Sequence, residues 1–132
     1  DGYDGPVMGA DGLTGLRDMG SVANGVYVSS AWLPDQPGEA SQRFVQAYRD
    51  RYNADPDQFG AMTYDAVRLV ARAIREVGPD RAAIRAYLEQ VGRQRPAFQG
   101  VSGTIAFDEH GDVVKKNVII GVIRNGQLVS AQ

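Results

Sequence analysis

The 132-residue chain contains no cysteine, a single histidine and a single tryptophan. The absence of cysteine excludes disulfides, iron–sulfur clusters, cysteine-bound zinc and thiol catalysis. Acidic and basic residues nearly balance, and the formal net charge is −2. The sequence therefore offers no basic surface for nucleic acid or for an anionic membrane, and we expect no nucleic-acid partner.

Long hydrophobic runs and catalytic motifs are also missing. The most apolar segment, VIIGVI at 118–123, is far shorter than the about 20 residues of a membrane-spanning helix. The sequence has no G-x-S-x-G, Walker or G-x-G-x-x-G motif and no histidine–carboxylate spacing typical of a metal site. We therefore predict no catalytic residue, no metal and no cofactor, and a small enzyme is the least favoured function.

The residue patterns predict an α/β chain of one-domain length, about 100–200 residues. Short strands at Val7–Met8 and Gly25–Trp32 flank a segment, Leu13–Gly20, with helical spacing of its apolar residues. Helices follow from about Ala40 to Tyr52 and from Ala61 to Val77. The apolar residues expected to form the buried face of the second helix are Ala61, Tyr64, Val67, Val70, Ala71, Ile74 and Val77.

A third helix and several strands complete the predicted order of elements. Gly78-Pro79 ends the long helix, and Asp80 is a suitable N-cap for the next. The segments SGTIAF (102–107) and 118–130 indicate strands around the turn cluster DEHGD (108–112). Asn125-Gly126 lies between two apolar runs, which is typical of a type I′ hairpin, so both residues are predicted to have positive φ.

Four segments together resemble a known family. They are GADGL (9–13), GVYVSSAWLPD (25–35), FVQAYRDRYNADPDQFGAMTYDAVRLVARAI (44–74) and FQGVSGTIAFDEHGD (98–112). In order and spacing they resemble the C-terminal part of type I periplasmic solute-binding proteins of branched-chain amino-acid (leucine, isoleucine, valine) ABC transporters. The resemblance covers nearly the whole chain and about the last third of the family.

The resemblance implies a two-lobed, doubly wound α/β fold with ligand bound between the lobes. Residues 1–34 would then be a strand–helix–strand part of the second lobe. Residues 35–97 would be a helical part of the first lobe between two interlobe crossings, and residues 98–132 a β-meander of the second lobe. The helical middle would pack on different strands from those of the two ends.

The function implied is capture of an amino acid, branched-chain or similar, for uptake by an ABC permease. Such a protein acts in the periplasm after signal-peptide removal, or lipid-anchored outside a Gram-positive cell. A ligand-sensing receptor domain of the same fold is the alternative. The polar start DGYDGP, without an initiating Met, is interpreted as a processed or cut end. The first strand is expected to need parallel neighbours from outside the chain, so the fragment could form a homodimer or swap segments.

Asp11 is the first candidate ligand-binding residue. It follows a predicted strand, and ligands of open α/β sheets lie beyond the carboxyl ends of strands. Gly9 and Gly12 keep the approach clear. A carboxylate there could bind an ammonium group through a charge-assisted hydrogen bond of about 1.5–3 kcal/mol. The resemblance implies this role, and the alternative is a helix N-cap.

Phe59 and Trp32 are the aromatic candidates. The resemblance aligns Phe59 with an aromatic residue that covers the ligand side chain from the other lobe, whereas the alternative is an anchor of the helix start in the core. Trp32 borders a predicted crossing and could either pack there or reach the edge of the cleft. Tyr64 is expected to pack in the core.

Two further polar residues are expected to be structural. Asp65, in the TYDA segment, has no ligand role that the resemblance supplies, and a cap or a buried hydrogen bond is favoured. His110 lies in the DEHGD cluster, where turn chemistry is favoured over catalysis or a calcium loop.

Overall fold

A computed structural model of the chain describes residues 2–114 and 116–131. Helices and strands are both present, which confirms the predicted α/β class. In chain order the elements are β1 (Met8–Gly9), a 3-10 segment (Asp11–Ala23), β2 (Tyr27–Ser30), α1 (Glu39–Tyr52), α2 (Gln58–Val77), α3 (Arg81–Gln90), β3 (Phe98–Gly100), β4 (Gly103–Ile105), β5 (Ile119–Arg124) and β6 (Gln127–Ser130).

One sheet joins strands from both ends of the chain, in the order β1-β2-β5-β6. β1 runs parallel to β2, with Met8 opposite Tyr27, while β5 is antiparallel to both β2 and β6. The first strand thus has a parallel neighbour, β2, within this chain. The expectation that its neighbours lie outside the chain was wrong in this respect.

The predicted meander over 98–132 was also wrong, because its strands belong to two sheets. β3 and β4 pair with each other as a separate hairpin, with Phe98 opposite Ile105. β5 and β6 join the four-stranded sheet. The physical reason lies in the turn between β3 and β4, whose backbone N–H groups are bound by the side chain of Asp65 on α2.

The structure confirms a turn and a helix cap that the sequence predicted. Asn125 and Gly126 have φ of 51° and 75°, and Arg124 pairs with Gln127, so the predicted two-residue hairpin is confirmed. The Asp80 side chain accepts a hydrogen bond from the Ala83 N–H at 2.8 Å and caps α3 as predicted. The helical spacing near Leu13 forms a 3-10 segment that is interrupted at Gly20.

The chain folds into two compact units. The first comprises Asp1–Gln58 and Asn117–Gln132, and the second comprises Phe59–Lys116. These bounds differ from the predicted ranges, since α1 belongs with the four-stranded sheet and the β3–β4 hairpin belongs with α2 and α3. Assignment of the ranges 1–34, 35–97 and 98–132 to two lobes of a larger fold stays a prediction.

The first unit has its core on the four-stranded sheet. Val28 of β2 and Ile123 of β5 are fully buried, and Leu33 lies beside them. Trp32 ties α1 to this core, because its indole N–H donates to the Ser41 hydroxyl at 3.0 Å. This bond explains why α1 shares a unit with the strands of the chain ends.

The second unit has its core between α2, α3 and the β3–β4 hairpin. Its buried residues are Leu69, Ala73, Tyr87, Val91, Phe98 and Ile105. The buried residues of α2 in this unit are spaced four apart along the helix: Ala61, Asp65, Leu69 and Ala73.

The predicted apolar face of α2 is only partly the buried one, since Ala61 is fully buried and Val77 packs against the core. Tyr64, Val67, Val70 and Ile74 are exposed, and the expected core role of Tyr64 was wrong. Among the described residues, no helix combines the length and the apolarity needed to cross a bilayer.

Candidate functional site

The carboxyl ends of β1 and β2 lie at the same edge of the sheet. The two strands are parallel, with Gly9 opposite Val28, so the residues that follow each strand emerge on one side. Asp11 follows β1, and Ala31 follows β2. This edge is where open α/β sheets bind their ligands.

The Asp11 carboxylate is exposed at this edge. The 3-10 segment begins at Asp11 itself, and its N-cap, Ala10, makes no side-chain capping bond. Asp11 is thus not the helix N-cap of the alternative hypothesis. Within residues 2–114 and 116–131, no hydrogen bond or ion pair engages its side chain. An exposed carboxylate without an internal partner is able to bind a cation.

The glycines on either side of Asp11 have different surroundings. A Cβ atom on Gly9 would overlap the end of the exposed Leu13 side chain, so Leu13 would have to move for a larger residue to fit there. A Cβ atom on Gly12 would meet nothing within 4 Å. The space beside Gly12 is therefore open, as expected, whereas the Leu13 side chain occupies the space beside Gly9.

Gln58 lies at the end of β2, and the sequence patterns did not single it out. It is 2% exposed, and its Oε1 accepts hydrogen bonds from the Ala31 N–H at 2.8 Å and the Ser30 hydroxyl at 2.9 Å. Its buried Nε2 has no acceptor among the described residues. Gln58 therefore fixes the first residue of α2 to the end of β2. A glutamine at the start of an apolar helix was the only signal available in the sequence.

Trp32 lies within the core of the first unit. It is 2% exposed, and its ring packs edge-on against Phe44 with centroids 6.0 Å apart. Together with the bond to Ser41, these contacts favour the packing alternative for Trp32 over a direct ligand contact.

Phe59 begins the second unit and is 53% exposed. An aromatic ring with half its surface in solvent does not anchor the helix start in the core of this chain. Phe59 is the first of several exposed apolar residues on α2, which we call the outer face of α2: Phe59, Met62, Val67, Val70 and Ile74. The exposure of Phe59 agrees with a surface available to a ligand or to further polypeptide.

Asp65 is the most deeply buried charged residue of the second unit. It is 0% exposed, and its two carboxylate oxygens accept the backbone N–H groups of Val101 and Ser102, each at 2.8 Å. A Cβ atom on Gly100 would overlap this carboxylate, which explains the glycine before the turn. The expectation of a buried hydrogen-bond role for Asp65 is confirmed.

Lys116 holds the same turn from its other side. Its ammonium group donates to the Ser102 carbonyl at 2.9 Å and to the Ser102 hydroxyl at 3.1 Å. Burial lowers the pKa of the Lys116 ammonium below its ordinary value, while the negative charge of Asp65 acts in the opposite direction. No pattern in the sequence singled out Lys116.

The DEHGD cluster forms a turn stabilised by its own first aspartate. Asp108 accepts the backbone N–H groups of His110 and Asp112, each at 2.9 Å. The bond from Asp112, together with that from His110, lowers the pKa of Asp108, because both favour the charged carboxylate. His110 is exposed, and its Nε2 lies 3.5 Å from the Glu109 Oε1. Among the described residues, no group of three or more histidines and carboxylates is arranged to hold a metal ion.

Each compact unit has a surface cleft among its described residues. One, in the second unit, has a volume of about 700 Å³ and runs between α3 and the turn at 107–111. The other, in the first unit, has a volume of about 550 Å³ and is bordered by β6. Neither cleft is lined by Asp11 or Phe59.

The sequence and the fold were compared with known proteins. The model of a family described as "Periplasmic binding protein" matches residues 3–127. A leucine-binding protein, LivK, of Thermotoga maritima has 26% identity and a TM-score of 0.85, with 99% of this chain and 37% of that chain covered. The branched-chain amino-acid transporter substrate-binding protein LivJ of Streptococcus pneumoniae, solved with isoleucine, has 27% identity and a TM-score of 0.83, with the same coverage.

A more distant structure shares the fold. The solute-binding protein of an R. palustris ABC transporter, solved with benzoate, has 22% identity and a TM-score of 0.81, with 95% of this chain and 34% of that chain covered. The chain thus spans little more than a third of these proteins. Since the family match extends over nearly all of the sequence and the fold agrees, the chain belongs to the periplasmic binding protein family, with the type I fold of the branched-chain amino-acid binding proteins.

Proposed function

We propose that this chain is the C-terminal part of an ABC-transporter substrate-binding protein that captures an amino acid, branched-chain or similar. Family membership and similarity to proteins solved as leucine- or isoleucine-binding support this assignment. The exposed outer face of α2 supports the view that the chain is one part of a larger fold, because apolar patches of this kind are usually covered.

The observation that carries the choice of ligand is the Asp11 carboxylate. It is exposed at the carboxyl edge of β1 and β2 and has no internal partner among the described residues. An amino acid brings an ammonium group that would neutralise this charge. A simple carboxylic acid such as benzoate has no such group and would be repelled. Asp11 therefore favours an amino acid over an aromatic acid.

The remaining ligand contacts follow from exposure and shape. Gly12 leaves open space beside Asp11, and Phe59 offers an exposed aromatic surface for an apolar side chain. Trp32 supports the site indirectly by fixing α1 to the end of β2. Binding of this kind requires no covalent chemistry, so we assign no catalytic residue and no cofactor.

The complete protein would deliver its ligand to an ABC permease, from the periplasm or from a lipid anchor outside a Gram-positive cell. A receptor domain that senses the same ligand is the alternative. Deletion of the gene separates the two, since loss of ligand uptake supports transport, whereas normal uptake with a lost response to the ligand supports sensing.

Calorimetric titration of the complete protein tests the ligand class. The ligands are L-leucine, L-isoleucine, L-valine, benzoate and 4-methylpentanoate, which is leucine without its amino group. We expect at least one of the amino acids to bind, and 4-methylpentanoate to bind about tenfold or more weakly than leucine, because a charge-assisted hydrogen bond is lost. Equal binding of leucine and 4-methylpentanoate, or preference for benzoate, would overturn the assignment.

A further inference from the structure

The cleft of about 700 Å³ in the second unit, between α3 and the turn at 107–111, has an apolar floor, and we call it the α3 cleft. The apolar residues that line it are Ile84 and Leu88, four positions apart on α3, and Phe107. Each of these side chains is partly buried and packs against the core of the second unit. The core therefore holds the floor in place, while part of its surface stays exposed to a partner.

The two sides of the α3 cleft carry opposite charges. The arginines Arg81, Arg85 and Arg93 come from α3 and the residues after it, and the turn contributes Asp108 and Glu109. A partner with charges of one sign, such as a nucleic acid or an anionic lipid, would be attracted by one side and repelled by the other. A polypeptide segment can carry both signs, so this arrangement favours a polypeptide partner.

Two of these arginines have charges that the described chain does not neutralise. Arg81 is the first residue of α3, and Arg93 lies three residues beyond its end. Within residues 2–114 and 116–131, neither guanidinium has a hydrogen bond or an ion pair. Arg85, in contrast, is paired with Glu89 at 2.8 Å. A guanidinium can bind a carboxylate through two parallel hydrogen bonds, so Arg81 and Arg93 each offer a specific contact to an acidic residue.

The acidic side of the α3 cleft is fixed by its own turn. Asp108 accepts the backbone N–H groups of His110 and Asp112, each at 2.9 Å, which holds the turn in shape. Glu109 is exposed, and its partner among the described residues is His110, whose charge depends on protonation. Glu109 can therefore bind a basic residue of a partner.

The α3 cleft differs in composition from the outer face of α2, which lies in the same unit. The outer face of α2 is apolar, as is typical of surfaces that are permanently covered. The α3 cleft combines an apolar centre with a charged rim rich in arginine, which is typical of surfaces that associate and dissociate. This difference favours a reversible partner for the α3 cleft over a permanent cover formed by the same protein.

We propose that the α3 cleft is a docking site for a segment of the ABC permease that is exposed outside the membrane. An apolar side chain of this segment occupies the floor, its acidic residues bind Arg81 and Arg93, and a basic residue binds Glu109. The inference rests on the proposed function, since the permease is the polypeptide partner which that function supplies. The cleft acts apart from ligand binding, because neither Asp11 nor Phe59 lines it.

The test measures the ATPase activity of the permease in proteoliposomes against the concentration of the complete protein, with L-leucine, L-isoleucine and L-valine present. Arg81→Glu and Arg93→Glu each reverse the charge of one unpaired arginine, and Glu109→Lys reverses a charge on the opposite side. Arg75→Glu is the matched control, since Arg75 is an exposed arginine of the same unit that lies outside the cleft. Calorimetry measures the amino-acid affinity of every variant.

We expect Arg81→Glu, Arg93→Glu and Glu109→Lys each to raise the concentration of protein needed for half-maximal ATPase activity by about fivefold or more, because each replaces an attraction by a repulsion. Arg75→Glu should resemble the parent. The amino-acid affinity should stay the same in all four variants.

Two results would overturn the docking site alone. In the first, Arg81→Glu and Arg93→Glu give the same half-maximal concentration as Arg75→Glu. This includes the case in which they lower only the unfolding temperature, which would show that the rest of the protein covers the cleft. In the second, Glu109→Lys lowers the half-maximal concentration, which would show a purely anionic partner. A parent protein that does not stimulate the ATPase would overturn the proposed transport function together with the docking site.

Discussion

The Asp65 carboxylate on α2 accepts the backbone N–H of Ser102 at 2.8 Å, across 37 residues of sequence. The backbone N–H of Val101 donates to the other carboxylate oxygen. The Asp65 side chain thus supplies the acceptors that a neighbouring strand would otherwise supply to these N–H groups. Both donors are backbone groups in a buried place, where an unmet N–H is costly. The carboxylate thereby determines where the β3–β4 hairpin sits on the helix.

Replacing Asp65 by asparagine should destabilise the protein. The amide retains one acceptor, but its NH2 group would face a backbone N–H that has no other partner. We expect a loss of about 1–3 kcal/mol in the free energy of unfolding, the usual cost of an unsatisfied buried donor. Urea unfolding measures it. The control is Asp50→Asn, at an exposed position of α1, which should change the free energy of unfolding by less than about 0.5 kcal/mol. Equal effects of Asp65→Asn and Asp50→Asn would refute the prediction.

The α2 helix shows what the sequence patterns could and could not predict. Its existence and its end at Gly78 follow from local composition, and Gly78 has φ of 81°. Its orientation does not, because the helix has two faces rich in apolar residues. The buried face is the one with small residues and Asp65, whose partners lie 36 and 37 residues away. Such partners leave no trace in the periodicity of a single helix.

The same contrast holds for the candidate site. Asp11 could be singled out as a candidate, because it lies just after a predicted strand, between Gly9-Ala10 and Gly12. Gln58 and Lys116 were not identifiable, since each acts through residues distant in sequence. Gln58 binds Ala31, 27 residues away, and Lys116 binds Ser102, 14 residues away. Hairpin and cap residues were predicted well, because their partners lie within a few positions.

The outer face of α2 should cause the isolated 132-residue chain to associate with itself. Val67 at its centre is 64% exposed, and contiguous apolar surface of this kind favours association in water. Sedimentation velocity should show a dimer or larger species that Val67→Lys shifts toward the monomer. Met19→Lys, which removes an exposed apolar side chain outside this face, is the control. A monomeric parent chain at high concentration would contradict the prediction.

The β5–β6 hairpin should depend on glycine at position 126. Gly126 has φ of 75°, a conformation that costs other residues about 1–2 kcal/mol. A Cβ atom there would meet only the Arg17 carbonyl oxygen, at 3.6 Å, so the cost is backbone strain and not a clash. We expect Gly126→Ala to lower the free energy of unfolding by about 1 kcal/mol. Asn125→Gly should be nearly neutral, and a neutral Gly126→Ala would contradict the turn assignment.

Glu76 should contribute to stability in a pH-dependent way. Its Oε1 accepts hydrogen bonds from Arg72 at 3.1 Å and from the Tyr87 hydroxyl at 2.9 Å, and its Oε2 accepts one from Arg95 at 2.9 Å. The bond from Arg72, followed by that from Tyr87, lowers the pKa of Glu76 below its ordinary value of 4.5.

A carboxyl group with a lowered pKa stabilises the folded state above its unfolded pKa, and this contribution is lost as the pH falls through the folded value. The gap in unfolding temperature between the parent and Glu76→Gln should therefore be largest near neutral pH and should shrink below the ordinary pKa of 4.5. Thermal unfolding followed by circular dichroism across this range tests it. Glu89→Gln, in an exposed pair with Arg85, is the control, and a gap independent of pH would count against the role of Glu76.

Asp11 provides the sharpest test of the proposed ligand. Asp11→Asn keeps the shape of the side chain and removes its charge, so the substitution specifically weakens the hydrogen bond to the ligand ammonium group. In the complete protein we expect amino-acid affinity to fall tenfold or more, because a charge-assisted hydrogen bond contributes about 1.5–3 kcal/mol and 1.4 kcal/mol is a factor of ten. Asp11→Glu should retain most of the affinity, since the charge is kept. Asp18 is an exposed carboxylate of the same 3-10 segment, so the Asp18→Asn variant should bind leucine as tightly as the parent does. 4-Methylpentanoate lacks the ammonium group, so Asp11→Asn should not lower the affinity for this ligand. Calorimetry on the four proteins measures these differences, and equal leucine affinities of the parent and Asp11→Asn would show that another residue neutralises the ammonium.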